Sequence, residues 1–175
     1  MTIAVAPTQS DIQVALRAFL VSILPSFVEV VAGQDNRVPE PIGPDFVVFW
    51  PIRRRRIETN VDSQPDADTK TALQPTEVTF QLDVHGPESA DHAQIISTLF
   101  RDEYAVNAFA ASGIDVAPLH ADDPRQIPFI NQENQFENRW VVEALLQANQ
   151  VVTVSQDSAN VVEVDVISVD ATYPP

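Results

Sequence analysis

Three histidines, His85, His92 and His120, and 25 acidic residues are the groups with which this 175-residue chain could do chemistry. A metal site needs ligands spaced so that they converge, and no histidine stands in an H-E-x-x-H helix or a comparable pairing. His120, Asp122 and Asp123 offer nitrogen and oxygen donors close together, but a short acidic stretch beside a strand reads first as a solvated turn. Glu133 and Glu137 resemble an acid–base couple, a pairing that so many carboxylates produce by chance. There is no G-x-S-x-G elbow, no Walker loop and no G-x-G-x-x-G turn in a chain with only four glycines. The absence of cysteine removes thiolate nucleophiles, disulfides and cysteine-ligated zinc. The expectation is a chain that is not an enzyme and needs no metal or cofactor.

One charge anomaly remains. Arg53, Arg54, Arg55 and Arg56 concentrate four of the 10 basic residues in a chain of formal net charge -15. Such an acidic surface repels DNA, which excludes nonspecific nucleic-acid binding as the main task. On a strand, side chains alternate, so Arg53 and Arg55 face one way and Arg54 and Arg56 the other. The run therefore reads as a projecting strand whose two faces meet different acidic surfaces, with arginine–carboxylate pairs, bidentate in the best cases, between subunits or to a partner that the strand faces. The bland alternative is a solvated strand end that blunts edge aggregation.

The elements that position these residues follow from periodicity. Ile12, Leu16, Phe19, Leu20 and Ile23 form one face of a helix over 10–24, capped by Thr8 or by Ser10 with Gln13 and stopped by Pro25. Residues 27–32 read as a strand, 34–44 as a loop, and 46–57 as a second strand that carries the arginines. The polar stretch 60–75 reads as a long loop, functional or mobile. Strict alternation over 77–85 sets Val78, Phe80, Leu82 and Val84 against Glu77, Thr79, Gln81 and Asp83. Two helical pieces follow: one from Ser89 with Ile96, Leu99 and Phe100 inward, and one over 102–111 with Tyr104, Ala108 and Phe109 inward and Gly113 as its cap. Strands are then predicted over 114–120, over 136–147 with Phe136, Trp140, Val142, Ala144 and Leu146 on one side, and over 161–169.

Length, 45% hydrophobic residues and 20% charged residues suit a single soluble domain spanning 1–175. No apolar run reaches the length of a membrane span, and the N-terminus shows no export signal. The predicted fold class is α+β, a largely antiparallel or mixed β-sheet with helices packed on one face.

Read whole, the chain from Val78 onward resembles the neck or tail terminator family of long-tailed bacteriophages. The resemblance is carried by V-T-F-Q-L-D-V-H-G-P at 78–87, A-D-H-A-Q-I-I-S-T-L-F-R at 90–101, A-P-L-H-A-D-D-P-R-Q-I-P-F-I-N at 117–131, Q-F-E-N-R-W-V-V-E at 135–143 and V-V-T-V-S-Q-D at 151–157. It covers about half of the chain, and the arginine run and the loop after it lie outside it. The resemblance implies a structural virion protein, assembled in the host cytoplasm, that forms a hexameric ring on the last ring of tail-tube subunits. Its partners are then further copies of itself, the tail tube protein and a neck or head-completion protein, with no membrane. Genomic DNA passes through the lumen without specific binding, eased by carboxylates along it. The alternative is a head–tail adaptor or stopper of the connector. Within the most specific stretch, Pro124, Arg125, Gln126, Pro128, Phe129 and Asn131 are interface candidates, a rigid loop with an aromatic and an arginine anchor. Equally, Phe129 plugs the chain's own core and Arg125 orients the loop locally, while Trp140 reads as core.

Overall fold

The computed structural model describes residues 3–34, 41–130 and 134–157. In chain order the elements are β1 (Ile3–Ala6), α1 (Gln9–Ile23), β2 (Glu29–Ala32), β3 (Phe46–Arg56), β4 (Val61–Asp66), β5 (Thr69–His85), α2 (Ser89–Phe100), α3 (Glu103–Ala111), β6 (Val116–Ala121), β7 (Arg125–Gln126), β8 (Phe129–Ile130), β9 (Phe136–Glu137) and β10 (Arg139–Ser155). The expected strand over 161–169 lies outside the described residues.

Two 17-residue strands, β5 and β10, form the spine of a mixed sheet. They pair antiparallel from Thr69 opposite Ser155 to His85 opposite Arg139. On the β5 side lie β3 and β4, and β2 runs parallel to β3 at the edge. On the β10 side, β1, β6 and β7 pair along its length. β8 and β9 form a separate two-stranded hairpin. The fold is α+β, as expected.

Alternation decides which face is covered. Val78, Phe80, Leu82 and Val84 from β5, and Val142, Ala144, Leu146 and Ala148 from β10, are buried on one face together with Val47 and Phe49. The helices close this face through Ile12, Leu16, Phe19 and Leu20 of α1, Ile96 and Phe100 of α2, and Ala105 and Phe109 of α3. Phe19 meets Phe100 edge-on at 5.6 Å and Phe109 at 5.6 Å, so one aromatic triad ties the three helices together. The start of α1 is fixed by Thr8, whose hydroxyl accepts from the Asp11 amide at 3.2 Å while the Asp11 carboxylate accepts from the Thr8 amide at 2.8 Å.

Three expectations change. The stretch 60–75 is no long loop: it holds β4, a tight turn and the first seven residues of β5, because the uninterrupted partner strand β10 offers ladder positions as far as Ser155. Tyr104 points outward, since α3 turns Ala105 and Phe109, four residues apart, toward the core. Phe136 is 78% exposed rather than inward, because Asn138 breaks the ladder and β9 pairs with β8 instead of β5. Trp140 packs against the core, as expected.

Candidate functional site

Between Pro51 and Arg53 the β3–β5 register slips, leaving Ile52 as an extra residue. The slip falls beside a proline, which has no amide to give the ladder. It also sets the phase of the arginines. Arg53 stands opposite Thr79 and Arg55 opposite Glu77 on the face without helices, whereas Arg54 stands opposite the core residue Val78.

On the helix-free face, Glu77 accepts from Arg53 Nη2 at 3.3 Å, from Arg55 Nε at 3.1 Å and from Arg55 Nη2 at 2.7 Å. Farther along, Asp83 pairs with Arg139 and accepts from Gln81 Nε2 at 2.8 Å, and Glu143 pairs with Arg125 at 2.9 Å. These four arginines and three carboxylates form a nearly charge-balanced strip across the sheet. Each carboxylate is already engaged by a cation, so none is poised as a free general base.

The other two arginines meet no carboxylate among the described residues. Arg54 donates to Gln150 Oε1 at 2.8 Å and to the Gln9 side chain at the start of α1. Arg56 faces Gln74, whose side-chain amide oxygen accepts from it. The expected alternation of the run holds. Within the chain, the carboxylate that binds Arg53 and Arg55 is Glu77, and the opposite face meets amides. The run does not project, since it lies beside β5 and leads on into β4.

The second candidate group is spread out. Arg125 and Gln126 form β7 against Val141 and Trp140, and Arg125 is oriented by Glu143 of its own chain. Pro124 is half-buried, Pro128 is exposed, Phe129 begins β8, and Asn131 lies outside the described residues. Arg139, Asp83 and Glu77 were not singled out in the sequence. Their signal was the alternation of β5 and β10, and in β5 the polar positions Glu77, Thr79 and Asp83 are buried rather than solvated.

His120 and Asp122 approach to 3.2 Å, but Arg101 stands among them, 3.3 Å from His120 Nε2 and 3.6 Å from Asp123. A guanidinium there takes the place a cation would occupy. No cluster of three or more His, Asp or Glu able to hold a metal is found among the described residues. His85 stacks on Phe46 at 4.5 Å, and its pKa is lowered chiefly by burial, which the nearby Asp83 opposes. Beside this pair lies a cleft of about 390 Å³ lined by Gly43, Pro44, Phe46, Gly86, Pro87 and the exposed Phe136. Glu137 and Asn138 complete its walls, which therefore mix apolar and polar groups.

What this geometry provides is surface: a braced ion-pair strip, strand edges and exposed aromatics. A family model described as phage neck terminator protein matches residues 10–172. The chain belongs to the phage neck terminator family. The match takes in the arginine run, which the motif resemblance alone left out. Membership makes the chain a structural protein of the phage neck and tail. No curated protein matches it. Among the described residues of this neck terminator, no helix is long and apolar enough to cross a membrane.

Proposed function

We propose that this neck terminator ends the tail tube as a closed ring of six copies and joins it to the head-completion proteins. The observation that carries the reading is the family match over 10–172, nearly the whole chain. The surfaces support it. Ile42 and Phe136 are exposed at one end of the sheet, and Ile3 and Val5 at the edge strand near the other. Apolar groups left in water at two separate places suit a subunit held by more than one neighbour.

In this reading the ring forms in the host cytoplasm and stays in the virion, and the protein performs no catalysis. Arg53 to Arg56, with Pro124, Arg125, Gln126, Pro128, Phe129 and Asn131, contribute to the contacts between copies or with the tube. Carboxylates along the lumen let DNA pass without adhering. Deleting the gene tests the function: a terminator yields overlong or headless tails. Tails of normal length beside unjoined heads would instead indicate a stopper or adaptor, and normal virions would sink both.

A further inference from the structure

The buried core ends at Ala148 on β10, yet the sheet runs on to Ser155. In this outer part β1 is a border strand: it pairs with β10 on one side and with no described strand on the other. All four of its residues, Ile3, Ala4, Val5 and Ala6, are exposed, and none is charged. An edge of open amides and carbonyls without charge, proline or bulge accepts a strand that reaches it. Ile3 and Val5 stand beside Val154 and Val152, on the face that the helices cover farther along.

The chain itself delivers a candidate strand to this edge. β10 ends where β1 begins, with Ile3 opposite Val154, and the Gln156 amide donates to the Asp68 carbonyl at 2.7 Å. Residues 158–175, beyond the described part, contain no lysine or arginine. Within them 162–166 read V-E-V-D-V, the alternation of a strand with one apolar and one acidic face. The family match takes in this stretch as far as 172. Reach and chemistry select among the free edges. Crossing β1 to its outer side takes two strand spacings, roughly 10 Å, which 158–161 span when extended. β4 is also near, but it contains Pro65, which has no amide to give, and Asp62 and Asp66, like charges to Glu163 and Asp165. β6 is interrupted by Pro118. β2 borders the far end of the sheet, roughly 50 Å away along β10, since Val30, Val47, Val84 and Trp140 share one row.

We infer that residues 162–166 add to the outer edge of β1 of their own chain, with Val162, Val164 and Val166 on the face of Ile3 and Val5 and the two carboxylates on the other. A segment that turns back after β10 runs antiparallel to β10 and hence parallel to β1, as β2 does beside β3. The addition satisfies the open backbone of β1 and extends its apolar row by one strand. Glu163 and Asp165 then share a face with Ala4 and Ala6, which are small and uncharged. The inference does not depend on the ring.

Because the chain has no cysteine, introduced pairs report without background. V5C is combined in the full chain with V162C, V164C or V166C, oxidised at low protein concentration, and read by mass spectrometry and non-reducing electrophoresis. Adjacent strands bring β-carbons of one face within disulfide reach, so one of the three pairs should close within the chain about tenfold faster than V5C/E163C and V5C/D165C. Equal rates for the two faces, faster closure of V164C with D62C on β4 than with V5C, or covalent dimers in place of the internal bond would overturn the inference. Hydrogen exchange of the unaltered protein supplies a second reading: amides of 162–166 should exchange at least about tenfold more slowly than unstructured peptide. Exchange there at the unstructured rate would overturn the inference even where a disulfide had trapped the pair.

Discussion

Arg55 grips Glu77 with two prongs, Nη2 at 2.7 Å from one carboxylate oxygen and Nε at 3.1 Å from the other, and Arg53 shares the second oxygen at 3.3 Å. Exposure is very unequal: the Glu77 side chain is 7% exposed, the arginines 60% and 64%. The pair should therefore respond asymmetrically to truncation. Glu77→Ala releases guanidiniums that water can solvate and should cost about 1 kcal/mol. The double variant R53A/R55A strands a buried carboxylate and should cost about 2–3 kcal/mol. Urea denaturation of the three proteins decides it, and equal losses would show that burial of Glu77 is not what matters.

The aromatic triad makes a second prediction. Phe100 and Phe109 are almost fully buried and touch Phe19 from two other helices. Phe109→Ala should destabilise by about 3–5 kcal/mol through lost burial and an unfilled cavity, while Phe136→Ala should change stability by less than about 0.5 kcal/mol. Thermal unfolding followed by circular dichroism checks both.

Gly86 turns the chain from β5 into α2 with φ +109°, and a β-carbon there would lie 2.2 Å from Asp45 Oδ1 and 2.6 Å from the Pro44 carbonyl. Gly86→Ala should cost about 3 kcal/mol or more, because strain and a backbone clash act together. It should also disturb the adjacent cleft, visible as changed amide shifts for Phe46 and Phe136 in NMR spectra.

Two groups tie stability to pH. The pKa of His85 is lowered by burial, so the unfolded chain takes up the proton first. Its contribution is complete above the ordinary histidine value of about 6.5 and declines as pH falls from there toward the lower folded value. Asp11 is held low by its hydrogen bonds with Thr8, so its contribution is present above the ordinary aspartate value of about 3.9 and is lost as pH falls through the folded pKa. The variant H85F should flatten the stability profile just below pH 6.5, and D11N only the most acidic part. Denaturation midpoints across pH measure both, and identical profiles for H85F and the parent would reject the first.

Much of the covered face was legible from spacing alone. Val78, Phe80, Leu82 and Val84 alternate, and Ile12, Leu16, Phe19 and Leu20 repeat at helical intervals, so a chain that folds at all must bury them together. The composition likewise determined the acidic surface, and the motif wording from Val78 onward already resembled the family that residues 10–172 match. What only the tertiary structure decided depends on pairing between distant segments. Residues 60–75 carry the polar, proline-containing composition of a loop, and most of them become strand because β10 extends beside them to Ser155. The partners of the arginines depend on one extra residue at Ile52, which local sequence does not announce but which turns Arg53 and Arg55 toward Glu77. Periodicity records which face a side chain takes within its own strand, whereas register, and with it every cross-strand partner, is settled between strands far apart in the chain.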